Sequence, residues 1–353
     1  MKLVKVVNWP ICLSSLFLVS IGILVIYSSS EELALQQLIF TSVGFVLFLL
    51  ISQLDLHILK RFVKPLYFFT IFLLILVIIL GIETRGSLRW IPLGFFNIQP
   101  SEFAKVVLIL LLAAFWTKSL PSWINIFKSL IWLTPLFLFI FKQPDLGSSL
   151  TLIAIWLGML LVSQISLRKI LSLILIGTLI IPITWFFLHD YQKERITGFL
   201  APELDPLGRG YNLIQSTIAV GSGQLFGRGL GRGTQSRLQF LPEFRTDFIF
   251  ASIAEELGLL GSLVILLIYL YMLLYCLKIA NQTEDKFSYL IIIGVSSMLL
   301  FQVFVNIGMN IGILPITGIT LPLISYGGSS LIVTFICLGL IASVTKNRKK
   351  FAI

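Results

Sequence analysis

QPSEFAKVVLILLLAAFW, residues 99–116, opens on a proline, a serine and two ions, then runs to Trp116 without another charge. A run of this length reads as a helix that crosses hydrocarbon, which takes about 20 apolar residues at 1.5 Å each. Polarity does not alternate along it, so a strand of a membrane barrel is excluded. The same kind of run recurs along the chain at 10–27, 34–52, 65–82, 101–117, 129–142, 147–163, 169–188, 250–279, 287–309 and 329–345. The fifth is short and ends at Lys142, which reads as a half-span or a tilted segment. Composition agrees: 57% of residues are hydrophobic and 12% charged, with a mean hydropathy of +1.00. The expected fold is all-α and polytopic, one membrane domain over 1–353 with about ten transmembrane helices.

Basic residues orient the chain. Lys2, Lys5, Lys60, Arg61, Lys64, Lys118, Lys128, Arg168, Lys169, Lys278, Lys286 and the cluster from Lys346 to Lys350 fall on one side, whereas the short loops opposite hold Arg85, Arg89 and Lys142. The positive-inside rule therefore places both termini in the cytoplasm and the long 189–246 loop, between helices seven and eight, outside. The formal charge of +10 is thus a topology signal and gives no argument for nucleic acid. Cys12, Cys276 and Cys337 lie inside apolar runs without metal spacing and read as small buried hydrophobes. The N-terminal run imitates a signal peptide, but no small-residue cleavage site follows it, so it reads as a retained first helix.

Four polar motifs head apolar runs, all on the predicted outer side: QPSEFAK (99–105), QPDLGSS (143–149), RTDFIFASIAEE (245–256) and PLISYGGSS (322–330). Ions at membrane depth are costly and by default mark function. Glu102 and Lys105, at i and i+3, can pair as an interfacial couple or as the charged wall of a cavity. Asp145 reads equally as an N-cap and as a site residue. Asp247, at the seam between the long loop and a long helix, is the strongest candidate, with a plain N-cap as its alternative. The 247–279 run is too long for one straight span, so it tilts steeply or bends near Gly258 and Gly261; in the bent case Glu255 and Glu256 need no special partner. In the long loop, YNLIQSTIAV (211–220) suggests a short helix. The glycines between 221 and 233, interleaved with Arg228 and Arg232, suggest either a flexible loop or a backbone-and-guanidinium cradle for a diphosphate.

RGSLRWIPLGFFNIQPSEFAK, QPDLGSS, GYNLIQSTIAVGSG, GTQSRLQFLPEFRTDFIFASIAEELG and NIGMNIGILPITGITLPLISYGGSS, in that order, resemble the SEDS family (shape, elongation, division and sporulation proteins), and its elongation members more than its division members. Two positions depart from the family pattern: Arg245 stands where a His is usual, and Gln224 where a second Gly is usual. The resemblance implies a peptidoglycan glycosyltransferase of the bacterial cytoplasmic membrane that polymerises lipid II on the outer face. It implies as partners a class B penicillin-binding protein, which cross-links the strands, and other membrane proteins of the elongation complex. The family's essential Asp falls on Asp247, its cavity pair on Glu102 and Lys105, and the Arg of its RW motif on Arg89. Displacement of a diphosphate needs one base and several cations; Asp247 suits the first, and Arg89, Lys105, Arg228, Arg232 or a divalent metal (Mg²⁺ or Mn²⁺) the second. The residues name no metal ligand. A lipid II flippase, a division-type polymerase and a non-catalytic scaffold are the competing readings.

Overall fold

A computed structural model describes residues 8–351 apart from 81, 85–86, 93–96, 189 and 239. The long helices are α1 (Trp9–Tyr27), α2 (Glu31–Ile51), α3 (Leu56–Leu80), α4 (Pro100–Lys118), α5 (Trp123–Lys142), α6 (Leu146–Val162), α7 (Leu167–Thr184), α11 (Ile249–Asn281), α12 (Lys286–Asn310) and α13 (Gly328–Phe351). Each expected span has its helix. The fifth is a correction: α5 begins at Trp123, capped by the Ser122 hydroxyl accepting from the Asn125 amide, and runs 20 residues, so it is no half-span. Polar Asn125 and Lys128 hid its first turn from a hydropathy reading. Among the described residues, eight helices are long and apolar enough to cross a membrane, and Leu146–Val162 is apolar but shorter. The chain is a multi-pass membrane protein.

Packing separates a core from a lipid-facing rim. Helices α4, α6, α12 and α13 form the centre, with α2 against α13, α3 against α4, and α1 and α12 against α11. Small residues let the central helices approach closely. A Cβ at Gly158 on α6 would stand 2.0 Å from the Ser297 hydroxyl on α12, and one at Gly294 on α12 would stand 2.8 Å from Ile109 on α4. Outward, Leu35, Ile39, Phe72, Ile174, Leu179 and Leu267 are exposed. In water such a surface would aggregate; in a bilayer it is solvated by acyl chains.

The two long loops fold. Residues expected only as a Gly- and aromatic-rich loop form a small antiparallel sheet, β1 (Ile82–Thr84), β2 (Ser87–Pro92) and β3 (Asn97–Ile98), with Ile91 paired to Ile98. The 189–246 segment carries α8 (Asp190–Leu200), α9 (Tyr211–Ser222) and α10 (Thr234–Arg237). The expected short helix is α9, and its Ser216 hydroxyl donates to the Asn310 carbonyl at 2.9 Å, which fastens the loop to the end of α12.

Helix α11 bends, the second of the two alternatives that its length left open. Gly258 breaks it at φ 69°, a conformation that favours glycine, and the 224–229 backbone docks against the break. Leu259 and Leu260 donate to the carbonyls of Gln224 and Leu225, and Arg228 and Gly229 donate to those of Glu255 and Glu256. The expectation that Glu255 and Glu256 need no special partner is overturned. Both are buried; Glu255 accepts from the Thr234 hydroxyl and the Gln235 amide, and Glu256 from the Ser28 hydroxyl at 3.0 Å. Carboxylates at that depth keep such donors because unpaired burial costs several kcal/mol, on the order of 1–3 or more per group.

Candidate active site

The heads of the four motifs meet at one end of the bundle. Asp145 caps α6 by accepting from the Ser148 amide at 3.1 Å, and its other oxygen accepts from the Gln99 side-chain amide at 3.1 Å and the Ser101 hydroxyl at 3.2 Å. One buried carboxylate therefore joins QPDL to QPSE, so Asp145 is a cap and a brace at once. The Ser329 hydroxyl at the start of α13 accepts from the Gln99 amide at 3.1 Å, which adds the fourth motif. The third joins through Ser325, which donates to the Thr246 carbonyl at 2.6 Å while accepting from the Leu321 amide.

Asp247 lies in the turn before α11. Phe248 occupies the N-cap position, so Asp247 is not that helix's cap. Its carbonyl accepts from the side-chain amides of Asn306 at 2.9 Å and Asn310 at 3.1 Å, both on α12. Asn310 also accepts from the Ala251 amide. These two asparagines fix the main chain, and the side chain turns to Gly318. A Cβ at Gly318 would sit 3.5 Å from Asp247 Oδ2 and 3.5 Å from Arg195 Nη1, which puts carboxylate and guanidinium within about 7 Å of each other. Gly147, two residues after Asp145, backs the same place: its Cβ would touch the carbonyls of Thr317 and Gly318.

The cations distribute unequally. Lys105 pairs with Glu102 at 2.6 Å, one turn below Ser101, and both side chains are almost wholly buried, which excludes a snorkelling surface pair. Arg89 on β2 donates to the carbonyls of Gln143 and Pro144, clamping the sheet to the turn between α5 and α6 beside Asp145. Tyr191 donates to the same Pro144 carbonyl at 2.9 Å. Burial pushes its phenol above the usual range, Arg89 and Arg195 pull it back and Asp145 adds to the rise, so all three charges act on one hydroxyl. Arg228 and Arg232 are both exposed, and the Arg228 amide is docked on the Glu255 carbonyl, roughly two turns from Asp247. Of the glycines in this stretch, Gly223 and Gly227 are packed against α11, where a Cβ at Gly223 would lie 1.8 Å from the Ala254 carbonyl oxygen, while Gly221 faces open space.

Arg245 is also spent on structure. Its guanidinium donates to the Ser29 hydroxyl at 2.8 Å and the Ser29 carbonyl at 3.1 Å, and lies over the Phe244 ring. Gln224 takes φ 49°, the conformation that the glycine usual at this position would adopt without strain. The residue that sequence reading passed over is Arg195. Its one local signal is Tyr191 at i−4, whose ring it covers at 5.7 Å; its neighbours Asp247 and Gly318 are remote in sequence. Among the described residues, no three His, Cys, Asp or Glu gather as a metal-ligand set.

A helical bundle whose motif heads bring Asp145, Asp247 and several cations together defines a class, a multi-pass membrane protein with a polar site at one end of its helices. The chain belongs to the cell cycle protein family that unites FtsW, RodA and SpoVE, whose model matches residues 3–350. Peptidoglycan glycosyltransferase MrdB of Escherichia coli K12 is 42% identical over 311 residues, covering 87% of this chain and 84% of that protein. A chain in the solved structure of a peptidoglycan synthase complex that coordinates polymerization and crosslinking superposes with a TM-score of 0.84 at 32% identity, covering 97% of this chain and 98% of the other. The crystal structure of rod shape determining protein RodA from Thermus thermophilus superposes with a TM-score of 0.74 at 27% identity, covering 97% of each chain.

Proposed function

We propose that this protein is a peptidoglycan glycosyltransferase of the elongation type, which polymerises lipid II at the outer face of the bacterial cytoplasmic membrane. The observation that supports the mechanism is that the Asp247 carboxylate and the Arg195 guanidinium both lie 3.5 Å from the Cβ position of Gly318. Asp247 takes the proton of a sugar 4-hydroxyl as that oxygen attacks the anomeric carbon of the donor. The new C–O bond forms as the bond from that carbon to the diphosphate breaks, with inversion, and the electron pair leaves on the diphosphate. A diphosphate departs without a proton donor, so one carboxylate suffices, unlike the paired acids of glycoside hydrolysis.

Charge developing on the leaving group is met by Arg195, whose Nη1 lies within about 7 Å of the Asp247 carboxylate. A divalent cation, Mg²⁺ or Mn²⁺, would supply further charge stabilisation; such ions are commonly held by one or two carboxylates together with substrate phosphates, and the sparse carboxylates here fit that mode rather than a protein cage. The partner of this membrane domain is a class B penicillin-binding protein, in keeping with the synthase complex that the fold resembles. A flippase would line both leaflets with polar groups. Here the buried charged side chains among the described residues, Glu102, Lys105, Asp145, Glu255 and Glu256, all belong to the motif heads. Purified protein with fluorescent lipid II, with and without Mg²⁺ or Mn²⁺, tests the reading: the wild type makes glycan polymer, and Asp247→Asn loses it at least a hundredfold while folding normally. Full activity in Asp247→Asn removes it as the base.

A further inference from the structure

Beside the reacting centre, and outside the spanning helices, the 189–246 segment forms an open cavity of about 600 Å³ between α8, the following turn and the start of α9. Its size falls within the range of small-molecule sites, roughly 300–1,000 Å³. Tyr191, Arg195 and Phe199 line one side, and their spacing of four puts them on a single face of α8, a guanidinium between two aromatic rings. Asn212 of α9 stands on another wall, and Ile316 closes the cavity toward Gly318. Arg195 is shared: Nη1 reaches the Ile316 carbonyl at 3.5 Å and the place where Asp247 turns its carboxylate.

The other charges of this cavity are already engaged. Glu194 pairs with Arg209 at 3.6 Å, and Asp205 accepts from the amides of Gly208 and Arg209 at 3.1 Å. The lining is neutral in sum, because Glu194 and Asp205 balance Arg195 and Arg209, and it adds ring faces and an amide. Such a set suits a sugar, whose C–H face stacks on aromatic rings while its hydroxyls bond to amide and guanidinium groups. It suits a free phosphate or a lipid tail poorly, because the first wants several cations and the second a continuous apolar wall.

We propose that this cavity is a subsite for the glycan strand, holding the sugars next to the reacting pair on the water side, with Arg195 as the contact between strand and centre. The assignment rests on the glycosyltransferase reading above. The lipid-linked end stays with the spanning helices, and the strand leaves through folded loop rather than through the bundle.

The probe is a lipid-free, peptide-free tetrasaccharide of the glycan strand, fluorescently labelled and titrated into the full-length protein in detergent. The wild type binds it. Phe199→Ala and Asn212→Trp weaken binding at least tenfold and leave lipid II capture unchanged, while Leu207→Ala, fully exposed on the same segment, binds like the wild type. Phe199→Leu, which keeps apolar volume and removes the ring face, gives the same loss should the alanine variant unfold. Equal binding by wild type and both cavity variants overturns the proposal, as does binding only of peptide-bearing glycan. Polymerisation is read in parallel. A wild type that polymerises lipid II but ignores the tetrasaccharide refutes the subsite alone; one that binds the tetrasaccharide but never polymerises refutes the glycosyltransferase reading alone.

Discussion

Replacing Glu102 or Lys105 singly with methionine tests whether the ion pair is held by the fold or holds it. The two groups meet at 2.6 Å with side-chain exposures of 8% and 3%, so neither can find water if the other is removed. Breaking a buried pair from one side costs about 3–5 kcal/mol, because a charge is left without compensation. Replacing both removes the charges together, and the double variant should lie within about 2 kcal/mol of the wild type. The expected coupling energy is therefore at least about 4 kcal/mol and far from additive. Denaturant unfolding of the purified protein in mild detergent, followed by tryptophan fluorescence, measures all four corners of the cycle. The double variant should nevertheless be inactive on lipid II if these charges face the substrate, which separates folding from chemistry. Single variants that each cost under about 1 kcal/mol, or a double that costs their sum, would refute the reasoning.

Asp145→Ala removes a cap and strands two donors, the half-buried Gln99 amide and the buried Ser101 hydroxyl, and should cost about 2–4 kcal/mol by the same unfolding measurement. Asp145→Asn, which keeps the cap, should cost about half of that or less. Gly223→Ala drives a methyl into the Ala254 carbonyl and should destabilise by about 1–3 kcal/mol. Gly221→Ala, on the same helix with open space around it, should be neutral or stabilise by up to about 1 kcal/mol; proteolysis of the loop distinguishes the two. At the other end of α12, burial raises the Asp285 carboxyl, but bonds from Ser288 and the Phe287 amide outweigh it and hold it below the usual range. A depressed carboxyl stabilises the fold above its unfolded pKa of about 3.9 and loses that contribution as pH falls through the folded value. Asp285→Ala should therefore cost about 1 kcal/mol at pH 7 and nothing near pH 2.

The spans and the convergence of the motif heads were legible because both depend on local pattern: apolar length marks a helix, and an ion beside Pro, Ser or Gly marks where it begins. Asp247, Glu102, Lys105 and Asp145 could be named on that basis. The small sheet was not legible, since strands of two to six residues broken by Gly and Pro carry little periodicity. The glycines around Arg228 were ambiguous for a physical reason: glycine beside arginine looks the same whether the glycines admit a ligand or a neighbouring helix, and Gly223 and Gly227 do the second, against the 254–258 backbone at the kink. Arg195 was invisible because its meaning comes from Gly318 and Asp247, which only tertiary folding brings to it.

Asn310 grips three things at once: the Asp247 carbonyl, the Ala251 amide and, through Ser216, helix α9 of the long loop. A pull on α9 is thus transmitted to the backbone that aims the aspartate. Anything that grasps that loop therefore has a lever on the main chain at Asp247, reached through two hydrogen bonds and without entry between the spanning helices.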